Sequence, residues 1–489
     1  MLRLAAPVLA ALVLVTSLPA QIESLPPPVL NANSFELLSN SRYSVHSGFT
    51  SNLPRQVLAN VLWAMNRVPG LGTYRELYVA TPENVYRYDS LAHALIVHRA
   101  GDYRYNSGSA FEVGIACARN EEAGYAVQAG LLAGIAFWDS SSASVVCCPM
   151  QFATNHANSN WNPVHPIMMV NVYGRANATG LVARLQAIST DSTLPDPRVV
   201  GPDTFEVLLA SLHLDSLFAP DPLPIVAISQ ILWAGYGVTP HMAIGKRGTT
   251  IPSAVANYYL TRRIYLVRDT AVQRYHNRIP PGNGMSTSDH RLELVTAGDR
   301  RELLRAACSR IPSTAPLYVV VTVADTGLNW SLMEAGFAGF QYAMQAAQLG
   351  LNCFITAPLA PDERSAIIAA LGLPTADLPV LVFACGSPVT AFKEASEPGR
   401  PGLSLQIASS RSGVLFSGSL ANSRRGQLQI TDLTGRIRQV FDLLADHSGK
   451  FRLDWAGTDH SGHRLGPGLY VCRLVTAQGS IRARLTLTR

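Results

Sequence analysis

Thirty-nine residues are Lys or Arg, and only Lys246, Lys393 and Lys450 are lysines, which leaves 36 arginines. Each arginine is a planar fork of N–H donors shaped for a carboxylate or a phosphate. They are scattered along the chain, so the net charge of +6 points to no nucleic-acid partner, and any anion chemistry depends on where the fold places a particular fork. His156 and His165 stand among asparagines, but no third ligand follows at a workable spacing, and no metal is expected. Glu122 and Glu334 each begin a helical stretch, where a carboxylate complements the positive end of the dipole. The seven cysteines, Cys117, Cys147, Cys148, Cys308, Cys353, Cys385 and Cys472, are too few, too irregular and of the wrong parity for a disulfide framework. Cys353 and Cys385 lie in apolar runs that suit buried, inert thiols. The chain contains no Gly-x-Gly-x-x-Gly after a strand, no Gly-x-Ser-x-Gly, no His-Glu-x-x-His and no Gly-Lys-Ser, so the common signatures of dinucleotide binding, serine hydrolysis, zinc hydrolysis and P-loop binding are missing.

Such residues need elements to position them. The 489 residues give room for about three domains, and 48% hydrophobic against 15% charged residues excludes a disordered or coiled-coil chain. Arg3, the apolar run Leu4 to Val15 and then Ser17-Leu18-Pro19-Ala20 read as a secretory signal peptide over residues 1–20. No later stretch reaches the ~18 to 20 apolar residues of a membrane helix. An exported protein without a membrane span is expected, in the bacterial envelope or outside the cell. Residues 21–32, with Pro26-Pro27-Pro28, read as a linker.

An internal duplication organises the rest. "LPRQVLANVLWAMNRV" from Leu53 recurs as "LPIVAISQILWAGYGV" from Leu223, "VYRYDS" around Arg87 as "VQRYHN" around Arg274, and "HALIVHRAGDYR" from His93 as "HRLELVTAGDRR" from His290. The offset grows from 170 at Trp63 and Trp233 to 187, 197 and 212 at Gly124 and Gly336, and is still 212 at Gly174 and Gly386. Colinear partners with offsets that only grow mean two copies, over 33–178 and 202–395, joined by a linker at 179–201. "FEVLLASL" and "VAISQILWAGYG" have helical spacing; "RRIYLV", "PLYVVVTV" and "PVLVFAC" are β-branched runs. Phe337, Phe340, Met344, Ala347 and Leu351 mark a helix packed along one face and ending near Gly350. Helices with a few buried strands make an α+β sandwich. After a linker at 396–402, residues 403–489 hold short alternating strands between Gly, Asp and Ser turns, an all-β sandwich.

That last module resembles the sorting domain of the type IX secretion route and the related immunoglobulin-like module of hook-capping proteins, through Asp432-Leu433-Thr434-Gly435-Arg436, Trp455-Ala456-Gly457-Thr458-Asp459, Ser461-Gly462, the Pro467-Gly468-Leu469-Tyr470 turn and a basic last strand. The resemblance implies secretion machinery as a partner. The duplicated part is similar to the nitroreductase family, nearest its azoline-oxidising branch, in "SRYSVHSGF", "RELYV" and "VYRYD" of copy one and in "ILWAGYGV", "TIPSA", "IYLV", "EAGFAGFQYAMQAAQLGL" and "AALGLPTADLPVLVFACGSP" of copy two. It implies two α/β-sandwich copies forming an intramolecular pseudo-dimer, with FMN between them and hydride passing between flavin and a small organic substrate, fed by a nicotinamide or another electron donor.

From the family pattern, Arg42, Ser44 and His46 of copy one stand where phosphate is gripped, with Tyr43 and His46 replacing two arginines; Arg175 is a further phosphate candidate. Pro252, Ser253 and Ala254, followed by Asn257, match the loop that reaches the flavin from the opposite subunit. Copy one lacks that loop, and copy two offers Asp215 where a phosphate would sit, so one composite site per chain is expected. The eroded arginine cluster and the export of the chain define the alternative: a degenerate nitroreductase-fold protein without FMN, acting as a binding or cell-surface module.

Overall fold

The computed structural model describes residues 22–487 except 46–47, 50–52, 139–145, 176–179, 189–192, 244, 279–286, 314, 389–402, 411–412, 421–422, 433–434, 447, 467 and 477–478. The signal-like segment, the 396–402 linker and His46 therefore lie outside the described residues. Copy one runs β1 (Ile22–Ser24), α1 (Phe35–Ser41), α2 (Arg55–Arg67), β2 (Arg75–Ala80), β3 (Asn84–Asp89), β4 (Ala94–Ala100), β5 (Phe111–Cys117), α3 (Asn120–Ile135), β6 (Val146–Pro149), α4 (Gln151–Asn160) and β7 (Ile167–Gly174). Copy two runs α5 (Phe205–Ser211), α6 (Ile225–Tyr236), the hairpin β8 (Val238–Ala243) and β9 (Lys246–Thr249), β10 (Ile264–Val267), β11 (Ala271–Arg278), β12 (Ser288–Ala297), α7 (Arg301–Ala307), β13 (Leu317–Val323), α8 (Asn329–Gln348), β14 (Asn352–Thr356), α9 (Pro361–Leu371) and β15 (Leu378–Gly386).

Each copy contributes one antiparallel sheet, ordered β1-β4-β3-β2-β5-β7-β6 and β12-β11-β10-β13-β15-β14. Apart from β1 in copy one and the separate β8-β9 hairpin in copy two, the two orders are the same when strands are counted within each copy. The β1 strand is an addition to the expected linker: Ile22 to Ser24 pair with Ile96 to Ala94. The run "PLYVVVTV" shows why these strands form. Leu317, Val319, Val321 and Val323 enter one core, while Tyr318 and Val320 enter a second, so a strand covered on both faces reads as a continuous apolar run.

Helix α8 departs from the one-face expectation, because it is buried nearly all round from Ser331 to Ala346. The far side of that helix packs on α3 of the other copy. A Cβ built on Gly124 would stand 2.1 Å from the Met333 carbonyl oxygen, and one built on Gly336 would stand 2.1 Å from the Glu121 carbonyl oxygen. The contact is reciprocal: each glycine meets the residue three positions before its counterpart, as in an isologous interface. The helix starts repeat this exchange. Buried Glu206 of α5 accepts from Asn31 Nδ2 at 2.8 Å, in the segment leading to α1, and buried Glu36 of α1 pairs at 3.4 Å with Arg198, in the segment leading to α5.

The C-terminal residues form β16 (Leu403–Ser410), β17 (Gly413–Leu420), β18 (Arg425–Asp432), β19 (Ile437–Leu444), β20 (Lys450–Trp455), β21 (Gly468–Thr476) and β22 (Gly479–Leu487). They make two antiparallel sheets, β16-β17-β20 and β19-β18-β21-β22, around a separate core that includes Phe416, Leu428, Ile430, Trp455 and Leu474. Asp432, Asp446 and Asp459 each open a turn closed by a glycine three residues on, and Gly435, Gly449 and Gly462 take φ of 82°, 75° and 82°, where a side chain would be strained.

Candidate functional site

Helix α1 starts at a cap, Ser34, whose hydroxyl accepts from the Leu37 N–H, and ends where Arg42 turns extended at φ −64°, ψ 127°. That exit carries Arg42 across to copy two. Its guanidinium, buried at 6% exposure, donates from Nε to the Thr250 carbonyl at 3.2 Å and from Nη2 to the carbonyls of Thr249 and Ile251, both at 3.0 Å. Nη1 reaches the Ser44 hydroxyl at 3.4 Å. The Thr250 carbonyl also accepts from Gln128 Nε2 of α3 and Gln341 Nε2 of α8, at 3.2 and 3.1 Å. Residues 249–251, which lead directly into Pro252, are thus fixed by donors from both copies. Tyr43 packs between Trp138 and His241, with ring centres 5.5 and 4.7 Å away. Burial first, and then the Arg42 charge, push His241 down to about 4, so its imidazole is neutral at pH 7.

The loop after Ile251 is held in an unusual backbone. Val255, Ala256 and Tyr258 take φ of 51°, 51° and 53°, a region that costs a non-glycine residue ~1 kcal/mol or more. Several contacts impose it. The Ser253 hydroxyl accepts from the Tyr258 N–H at 2.6 Å, Lys246 Nζ donates to the Ala256 carbonyl at 2.9 Å, and the Arg278 guanidinium lies 4.2 Å over the Tyr258 ring. Pro252 is buried, Ser253 and Ala254 are half-buried, and Val255 and Asn257 face solvent, with Asn257 Nδ2 donating to the Tyr259 hydroxyl at 2.9 Å.

The structure thus brings Arg42 and Ser44 of copy one to the strand end that carries Pro252, Ser253, Ala254 and Asn257 of copy two. Arg175 directly follows β7 and is exposed. Arg42, however, does not fit as a phosphate ligand in this arrangement, because three carbonyl oxygens converge on its fork and would repel the oxygens of a dianion. The loop side does fit the polar edge of a flavin ring, offering the Tyr259 hydroxyl and the Asn257 amide, while the Ser253 hydroxyl is turned inward to the Tyr258 N–H and Glu334. Asp215 is a turn residue, its carboxylate accepting from the Leu217 N–H at 2.9 Å.

Glu334 and Glu122 were expected to serve their helix dipoles. Glu122 lies in the first turn of α3, but it pairs with Arg75 through Nε at 2.7 Å and accepts from the Leu71 N–H. Glu334 lies more than a turn inside α8, where the dipole has faded, and accepts from the Tyr236 hydroxyl at 2.7 Å and the Leu260 N–H at 3.3 Å. Sequence reasoning missed Lys246, Arg278, Gln128, Gln341 and Tyr236; the rarity of lysine was the one signal that singled out any of them. His156 bonds the Tyr103 carbonyl at 3.1 Å and His165 bonds Glu76 at 3.3 Å. A cleft of 720 Å³ opens elsewhere, between the duplicated part and the C-terminal module, lined by Arg67, Leu212, Phe354, Thr431 and Arg473 among others; none of the expected site residues borders it.

No family model matches the chain, and no curated protein does. Among solved structures it is similar to a candidate nitroreductase from Anabaena variabilis, at 11% identity and a TM-score of 0.49, over 71% of this chain and 93% of that one. A candidate nitroreductase from Ralstonia eutropha matches at 23% identity and a TM-score of 0.34, over 44% of this chain and 97% of its own. An FMN-dependent nitroreductase from Clostridium difficile matches at 13% identity and a TM-score of 0.26, over 39% and 91%.

Proposed function

We propose that the chain is an exported flavin-type oxidoreductase of the nitroreductase kind, its two copies folded as one intramolecular pseudo-dimer with a single composite site. The observation that carries this reading is the junction of Arg42, itself bonded to Ser44, with the carbonyls of residues 249–251, which joins the two half-sites that the sequence retains, one in each copy. A bound FMN would supply hydride transfer to or from a small organic substrate. The chain's own part is positional: Arg42 anchors the strand end that presents the 252–257 loop, Ser253 braces that loop through the Tyr258 N–H, and Ala254 and Asn257 face the ring edge. With Arg42 turned to carbonyls, the phosphate falls to exposed Arg175, to Ser44 and to His46. The C-terminal sandwich, immunoglobulin-like in its turns, is the export signal of this reading and engages secretion machinery, and the azoline-oxidising branch supplies the substrate class to try first.

A second reading is favoured by the bonds of Arg42 themselves. A fork satisfied by main-chain carbonyls is a structural clamp, which suits a protein that has dispensed with FMN and serves as a binding or cell-surface module. The absorbance spectrum of the protein purified from its native host separates the two: flavin bands are expected for the oxidoreductase, and their absence, with no uptake of added FMN, selects the module.

A further inference from the structure

The cleft between the duplicated part and the C-terminal module takes its wall from all three parts of the chain. Arg67 comes from the end of α2, Leu212 from the exit of α5, Phe354 from β14, and Thr431, Ile437 and Arg473 from β18, β19 and β21. Its 720 Å³ is room for a small organic molecule. Among the described residues no Asp or Glu borders it, so its two arginines find no counter-charge in the wall. Asp432, next to Thr431, is committed to Arg438 at 2.7 Å.

Arg67 is poorly satisfied for a charge held largely out of water. Its Nη2 donates to the Ala210 carbonyl at 2.5 Å, but Nε is enclosed without an acceptor, and Nη1 is accessible and has no partner among the described residues. A Cβ built on Gly435 would stand 3.9 Å from that Nε, so a turn of the C-terminal module covers this side of the guanidinium. Burial lowers the Arg67 pKa, and no carboxylate opposes the effect. Sequestering a charge without a counter-ion is costly, and the scaffold does not require this one. Arg75 Nη1 already caps the end of α2, donating to the carbonyls of Met65 at 2.8 Å and Val68 at 3.0 Å. The counterpart of Arg67 in copy two, at the offset of 170, is Gly237. Arg473 is exposed, and its bonds among the described residues are long ones to Ser480 Oγ, at 3.3 and 3.4 Å.

We propose that this cleft binds an organic monocarboxylate with an apolar body, its carboxylate on Arg67 and its body between Leu212, Phe354 and Ile437. One guanidinium balances one negative charge, and a carboxylate matches its N–H donors. A phosphate dianion would need more donors than Arg67 has to spare. Arg473 adds a second positive charge that draws an anion toward the opening. The 252–257 loop does not border the cleft, so this ligand is independent of whether the chain binds a flavin.

Isothermal titration calorimetry of the full chain with octanoate, octanol and octyl phosphate at pH 7.5 is the test. Octanoate is expected to bind once per chain, ~10- to 100-fold more tightly than octanol, as one charge-assisted pair provides, and more tightly than octyl phosphate. Arg67→Gln, which keeps a donor for the Ala210 carbonyl but carries no charge, is expected to bring octanoate down to the affinity of octanol. Ile437→Trp, at an exposed position of the C-terminal module, is expected to abolish binding of both by filling the cleft. The two substitutions lie in different modules, so a folding defect in one leaves the other to decide. No binding of octanoate, octanol binding as tightly as octanoate, tighter binding of octyl phosphate, or octanoate binding untouched by both substitutions would each overturn the site.

Discussion

Arg42 shows how much depends on where a single side chain finds its acceptors. Its position beside Ser44 was legible in the sequence, but the direction of its fork was not, because the acceptors are backbone carbonyls some 200 residues away, which carry no residue-type signal. Removing it leaves the carbonyls of Thr249, Thr250 and Ile251 short of a charged donor, and such bonds contribute ~1.5 to 3 kcal/mol each when neighbours cannot replace them. The two glutamines on Thr250 soften the loss, so Arg42→Ala should cost about 3 kcal/mol in denaturant unfolding, with Arg42→Lys recovering only a fraction because an ammonium cannot span three carbonyls. Buried carboxyls set the pH dependence. Burial pushes Glu112 and Glu206 up to about 7 from 4.5. A carboxyl raised on folding contributes stability that is present below pH 4.5 and lost as pH climbs to 7. Unfolding free energy should fall across that window by up to ~3 kcal/mol per group, and Glu206→Gln should remove part of the slope. The thiols of Cys353 and Cys385 are buried and Cys353 is pushed up to about 12, so both should resist alkylation at pH 8 until denaturant is added.

At the scale of elements, periodicity was a good guide wherever one partner surface decides burial. The run "FEVLLASL" contains α5 (Phe205–Ser211), "VAISQILWAGYG" covers all but the first residue of α6 (Ile225–Tyr236), and "PVLVFAC" lies within β15 (Leu378–Gly386). It failed for α8, where alanines and glycines on the second face read as neutral in sequence yet touch a helix from the other copy. The reciprocal glycines give a sharp prediction. A side chain at Gly124 or Gly336 would drive a Cβ to within 2.1 Å of a carbonyl oxygen, far inside van der Waals contact, and rigid backbone on both sides cannot yield. Gly124→Val and Gly336→Val should each abolish soluble folded protein, or lower the melting temperature by ten degrees or more, and should do so to a similar extent. A tolerated substitution at either position would contradict the close crossing of α3 and α8.

At the scale of the molecule, the two copies share one core, which includes Trp63 and Tyr125 of the first and Trp233 and Phe340 of the second. The duplication was visible in sequence because paired motifs keep their order. What sequence could not show was how the copies exchange contacts, through Gly124 and Gly336, through Glu36 and Glu206, and through Arg42 and residues 249–251. Neither copy produced alone should give a soluble monomer, and the two produced together should associate, as size-exclusion chromatography with light scattering will show; two independent, well-behaved monomers would contradict a shared core. The composite site we propose makes the most direct demand. Isothermal titration calorimetry of the full chain with FMN should give one flavin per chain. Two equivalent sites would contradict the complementation of half-sites, and no binding at all would contradict the flavin reading and leave the clamped, FMN-free module in its place.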